Sequence, residues 1–331
     1  TVLAVSLLIV AVFVLAGLGQ PAGGGLSWEG FDASGLAVGG IGGAIAFCVA
    51  AFMGVDAPGS FVEEATDRRS VSRATIAGAL VLGGVYAAAA WAMGVAVGPH
   101  AVAQAAADPA AGLPFTVLDR LGGWWAALAS VMLVFAVVTS MLAFHSVVAR
   151  YVFAMAREGV LPAGLAQTGS GTRVSAPRGG SVTQTAVAAV VVAAFAASGA
   201  DPLVVMFTWL STLGAMGLLC LLLAASVAAM TAPASVRGPQ AGVWQWRLAP
   251  GLGVAGGSVV LVLMVGNVGS LLGAAPGSLY PFLLPAILAA TAVAGGVWAG
   301  RLRQSRPEVY AGIGHGTPKT HAVPDAINVS I

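Results

Sequence analysis

Asp56 is an ionisable residue inside the apolar run GGIGGAIAFCVAAFMGVDAPGSF, between Gly54 and Pro58. An Asp at the centre of a membrane helix costs about 2.5–3.5 kcal/mol, so it persists where it faces a cavity or a partner, or where it holds a proton. Gly54 is conformationally free and Pro58 lacks a backbone donor, so helical hydrogen bonding weakens between them. An unwound stretch at membrane depth frees N–H and C=O groups that can grip the ends of a ligand. A proline kink with Asp56 reaching to the interface accounts for the same residues, because the pair Glu63-Glu64 follows only about two turns later.

Glu63, Glu64, Asp67, Arg68, Arg69 and Arg73 then form a dense charged cluster. It reads either as a solvated loop that sets topology or as a gate of ion pairs that closes an inward pathway. Farther on, Thr139 and Ser140 lie in a long apolar run. Such hydroxyls usually bond back to their own helix; the alternative is coordination of an ion or substrate. His145 in the same run could titrate near neutral pH. Trp209, in FTWLSTLGAMG, is either a polar handle on a substrate path or an interfacial anchor. The two cysteines, Cys48 and Cys220, sit in apolar runs and read as small hydrophobes rather than a disulfide or metal pair. No G-K-[ST], H-E-x-x-H or G-x-S-x-G occurs, and the four histidines do not cluster, so nucleotide hydrolysis, metal catalysis and a serine-hydrolase site have no sequence support. No cofactor is expected.

These residues are set in a chain of 331, of which 58% are hydrophobic and 8% charged. A soluble domain carries about 25% charged residues, so this chain cannot cover a water-facing surface. A net charge of +2 gives no footprint for nucleic acid. The expectation is an all-α, multi-pass membrane protein whose partner is the lipid bilayer. With about 20 apolar residues per crossing, eight spans are expected: 1–19, 37–58, 74–98, 123–152, 182–199, 203–231, 249–273 and 278–301. Of the 14 basic residues, 13 fall in the loops and tail of one side, and only Arg120 lies on the other. The positive-inside rule then places both termini in the cytoplasm. The transmembrane bundle is drawn at 1–303 and a cytoplasmic tail at 304–331.

Two blocks carry a resemblance. Phe52-Met53-Gly54-Val55-Asp56, followed by Glu63-Glu64 and RRSVSRA, resembles the sixth-helix motif of the amino acid–polyamine–organocation permeases. ARYVFAMAREGVLP at 149–162 resembles a second motif of that family, and RPEVYAGIG is similar to the close of its bacterial members. The resemblance implies a LeuT-type inverted-repeat transporter fold, with the eight spans matching helices five to twelve and the first four helices lacking, an N-terminal truncation. It implies Gly54, Val55 and Asp56 as the unwound substrate site; Phe52, Met53, Ala57 and Trp209 are further substrate-site candidates from the reading of the residues themselves. At Ala50 many members carry an aromatic gate; here the residue is small and Phe47 and Phe52 flank it.

The expected function is secondary active transport of an amino acid or amine across the inner (plasma) membrane, proton-coupled or by exchange, and not catalysis. The alternative is a non-transporting membrane fragment with a sensing or structural role. Candidate gating residues are Phe47, Ala50, Glu63, Glu64 and Arg69. Candidate ion ligands are Thr139 and Ser140, with a proton as the possible coupling ion.

Overall fold

The computed structural model describes residues 2–32, 41–61, 68–107, 112–168, 176–232, 242–274 and 277–314. Among these residues the structure is helical and contains no strand. The helices are α1 (Val2–Gly19), α2 (Ile41–Ala51), α3 (Arg68–Val97), the short α4 (Val102–Ala106) and α5 (Leu113–Asp119), then α6 (Gly123–Arg157) and α7 (Arg178–Ser198). They continue with α8 (Thr208–Thr231), α9 (Ala249–Leu271), α10 (Tyr280–Ser305) and α11 (Pro307–Gly312). Single π-helical stretches, Pro202–Phe207 and Trp244–Leu248, lead into α8 and α9.

Among the described residues, seven stretches are long and apolar enough to cross a bilayer, and they correspond to seven of the eight expected spans. The exception is the second. Instead of running as a helix to residue 58, α2, described from Ile41, stops at Ala51. A turn at 52–56 and a 3-10 helix at Ala57–Phe61 follow. The cause is local: Gly54 adopts φ +95°, a conformation only glycine reaches freely, and Pro58 cannot donate.

Several hydroxyls inside the long helices bond back to their own helix. Thr75, Ser130, Ser146 and Thr183 donate to the carbonyls of Val71, Ala126, Leu142 and Gly179 at 2.9–3.0 Å. Arginines cluster at helix ends: Arg69 and Arg73 open α3, Arg157 closes α6, Arg178 opens α7, and Arg301 and Arg303 lie in the last turns of α10. Arg120, the exception to the one-sided charge bias, has a structural task. Its Nη1 donates to the Ala96 carbonyl at 3.0 Å, at the C-terminal end of α3, where a cation complements the helix dipole.

The chain divides into two compact units, Thr1–Val38 with Gly54–Val147, and Gly39–Met53 with Val148–Ile331. In the first, Ile9 and Phe13 of α1 pack with Ala92 of α3, Val117 and Leu118 of α5 and Ala129 of α6. A Cβ added at Gly17 would stand 2.8 Å from the Ala92 carbonyl oxygen, so glycine is what lets α1 and α3 approach. In the second, Ala46 of α2 is buried with Met216 and Leu219 of α8, Met264 and Val268 of α9 and Leu284 of α10. The outer helix surfaces are apolar: Val134, Val138, Met141 and Leu142 of α6 are all exposed. Apolar surface of that extent belongs against lipid.

Candidate functional site

The break in the second span defines the site. The last helical turn of α2 tightens as Phe52 and Met53 donate to Val49 and Ala50 at 3.0 Å. Beyond it the chain turns, with Ala57 donating to Gly54 at 3.0 Å and Gly59 to Asp56 at 2.9 Å. The N–H groups of Gly54, Val55 and Asp56 have no acceptor among the described residues. The Asp56 carboxylate likewise has no hydrogen-bond or ion-pair partner among them. Three donors and one acceptor group therefore occupy three residues of half-buried chain. Downstream, Ser60 closes the 3-10 helix by donating to the Ala57 carbonyl at 2.8 Å.

The chain passes from one compact unit to the other between Met53 and Gly54. Within the second unit, Met53 lies against α8: a Cβ on Gly214 would meet its sulfur at 2.9 Å. Within the first, the face of Gly54 looks toward the Phe144 ring of α6, 3.6 Å from where a Cβ would stand. Gly214 and Phe144 were not candidates in the sequence. Gly214 lies in the quoted stretch FTWLSTLGAMG, but nothing in the local pattern ties it to Met53.

The other expected residues divide. Ala50 is half-buried and packs against the core of the second unit, Phe47 is 45% exposed, and Phe52, Val55 and Ala57 are half-buried. Trp209 is drawn into an aromatic group, with Phe195 of α7 at 6.4 Å and Tyr280 of α10 at 5.7 Å between ring centroids. The broken segment meets α8 at Gly214, five residues farther along and more than a turn away. Thr139 and Ser140 are both exposed, and the Thr139 hydroxyl donates to its own helix at the Phe135 carbonyl, 2.7 Å. No group of three or more His, Cys, Asp or Glu side chains suited to a metal occurs among the described residues. Arg69 is exposed in the first turn of α3; Glu63 and Glu64 lie outside the described residues.

The two remaining motifs are brought together within the second unit. Gly159, at φ +80°, follows Glu158 at the end of α6, and Val309 of α11 packs beside it. Trp298 of α10 donates its indole N–H to the Val160 carbonyl at 2.9 Å, and the Gly314 amide donates to the Glu158 carboxylate at 3.2 Å. The boundary drawn at residue 303 thus falls inside α10, and the first part of the expected tail packs back on the 149–162 block. That block is also fixed from α7, where a Cβ at Gly180 would collide with the Ala149 carbonyl.

Against known proteins, the amino acid permease family model matches residues 1–290 of this chain. No curated protein and no solved structure matches it.

Proposed function

The chain belongs to the amino acid permease family, and from that premise we propose that it is a secondary active transporter for amino acids or related amines, with residues 52–57 as its substrate site. The observation that carries the proposal is the juxtaposition of unsatisfied N–H groups at Gly54, Val55 and Asp56 with the Asp56 carboxylate. A zwitterionic amino acid presents the complement. Its carboxylate accepts from clustered backbone donors, as anions do at exposed N–H groups, and its ammonium pairs with Asp56. Protonation of Asp56 would release the ammonium end, which is how a proton gradient could be coupled to substrate movement. Phe47, Phe52, Met53 and Ala57 would form the apolar surroundings and inner gate, with Ala50 leaving room where a larger side chain would narrow the passage.

The remaining assignments are part of the same proposal. Trp209, held by Phe195 and Tyr280, would act as a fixed aromatic wall. Glu63, Glu64 and Arg69 would form the ion-paired inner gate. Thr139 and Ser140 are candidate ion ligands through their oxygen lone pairs. The Arg-rich helix ends favour the cytoplasm for both termini in a plasma membrane.

The test is uptake of radiolabelled amino acids and diamines into proteoliposomes at several internal and external pH values. The protein should accumulate at least one of them, and Asp56→Asn should abolish or flatten the pH dependence of uptake while leaving the purified protein folded. If no amino acid or amine is moved, transport is refuted. If Asp56→Asn leaves the pH–rate profile unchanged, the role of its carboxylate is refuted.

A further inference from the structure

A second polar opening lies in the first unit, far along the chain from the broken span. The segment after α1 returns over the C-terminal end of α3, held by Ala22 N–H to the Val95 carbonyl and by the Trp91 indole N–H to the Ser27 carbonyl, both 3.0 Å. It leaves a cavity of about 600 Å3, open on one side and lined by Ser27, Trp28, Glu29, Pro99 and His100 among others. Trp28 stacks on Trp91 with centroids 4.5 Å apart. Phe31 packs against both rings, 5.8 Å from Trp28 and 6.0 Å edge-on from Trp91. Trp28 and Phe31 nonetheless stay 62% and 60% exposed. Beside these rings the Glu29 carboxylate faces His100, Nε2 to Oε2 3.5 Å.

This combination has a chemical preference. Aromatic faces attract a cation through the ring quadrupole, most strongly at Trp, and a neighbouring carboxylate adds a charge partner. An anion would meet Glu29, with Asp32 following in the same segment. The guanidinium of Arg120, the basic side chain of this end of the unit, is directed to the Ala96 carbonyl. A metal ion finds one carboxylate and one imidazole but no ligand on three hydrocarbon-rich rings. An alkylated or primary ammonium uses both kinds of group, with its carbon substituents on the Trp28 ring and its charge at Glu29, beside His100.

We propose that Trp28 and Glu29, with Trp28 backed by Trp91 and Phe31, form a binding site for an organic ammonium group, separate from the site at Asp56 and independent of the transport reading. The ammonium could be that of a free amine or of a zwitterionic lipid headgroup. Binding of radiolabelled tetramethylammonium is measured by equilibrium dialysis on the full chain carrying Asp56→Asn, in nanodiscs of phosphatidylglycerol, with sodium chloride matching ionic strength. Saturable binding is expected. Glu29→Gln should weaken it at least ten-fold and Trp28→Leu should remove it, with unfolding temperatures unchanged because both side chains are exposed. Non-saturable binding, or equal binding by Glu29→Gln and the parent, overturns the proposal. Should Trp28→Leu unfold, Glu29→Gln alone decides. Loss of binding when phosphatidylcholine is added to the discs identifies the headgroup as the occupant; unchanged binding identifies a free amine.

Discussion

Replacing Gly54 with alanine isolates the conformational requirement of the broken span from its steric one. The added Cβ would stand 3.6 Å from the Phe144 ring, an ordinary contact, so space is not limiting. The φ of +95° is limiting. A residue with a Cβ held in left-handed backbone costs about 1–2 kcal/mol. Stiffening of the unfolded chain cannot offset this where the native conformation is incompatible. A loss of about 1 kcal/mol corresponds to a factor of about five in any equilibrium between the broken and rearranged segment. Gly59→Ala is the matched control: it lies five residues on, at ordinary φ, with nothing within 4 Å of its Cβ. It should be neutral or slightly stabilising.

The assays are thermal unfolding of purified protein and the initial rate of uptake into proteoliposomes. Gly54→Ala should lower both, with uptake falling further than stability, because its segment also carries the donors of Val55 and Asp56. Gly59→Ala should lower neither. Equal behaviour of the two variants would refute the reasoning: if both are harmless, the positive φ is not needed, and if both are harmful, the segment rejects any Cβ for some other cause.

Three further outcomes follow from particular contacts. Gly180→Ala would drive its Cβ into the Ala149 backbone carbonyl, and overpacking of this kind costs about 1–3 kcal/mol; the unfolding temperature should drop, whereas Gly300→Ala, with open space around it, should leave it unchanged. Arg120→Met removes the cation and donor from the end of α3; about 0.5–1 kcal/mol should be lost at low ionic strength and less at high salt, because the group is exposed. Trp298→Phe keeps the ring but deletes the donor to Val160, about 0.5–1 kcal/mol; hydrogen exchange in the 158–162 turn should accelerate while that of α1 stays constant.

How much of this was legible in the sequence depends on the range over which each feature is determined. Apolar runs mark membrane-length helices within 20 residues, so seven spans were readable from local composition. The break in the eighth was readable from Gly54 and Pro58, but its start was not. Phe52 and Met53 are compatible with a helix, and what ends α2 at Ala51 is the left-handed turn at Gly54 directly after them together with the seat that Gly214 offers Met53. The union of the 149–162 block with the RPEVYAGIG stretch rests on a hydrogen bond from Gly314 to Glu158, residues 156 positions apart, and no periodicity encodes such a pairing. Trp209 was readable as an amphipathic ring but not as a member of a group with Phe195 and Tyr280, since those rings come from two other helices.

The energetics of the break limit what can lie beside it. A backbone polar group unsatisfied in hydrocarbon costs several kcal/mol. Three consecutive N–H groups lack acceptors here, at Gly54, Val55 and Asp56, next to a carboxylate without a partner among the described residues. Against lipid alone that arrangement would cost more than a domain's usual margin of 5–15 kcal/mol could readily absorb. A continuous helix through these positions would remove much of the cost, and glycine at 54 does not prevent one, since it adopts right-handed backbone as easily as left. Pro58 removes only its own donor and crowds the Gly54 carbonyl; what keeps the three N–H groups out of a helix is the left-handed turn at Gly54 together with the seat of Met53 on Gly214. Among the described residues nothing satisfies these groups, and in the proposed substrate site water or a polar solute would meet them. Under the proposed function, an amino acid would bring a carboxylate to accept from the backbone donors and an ammonium to pair with Asp56.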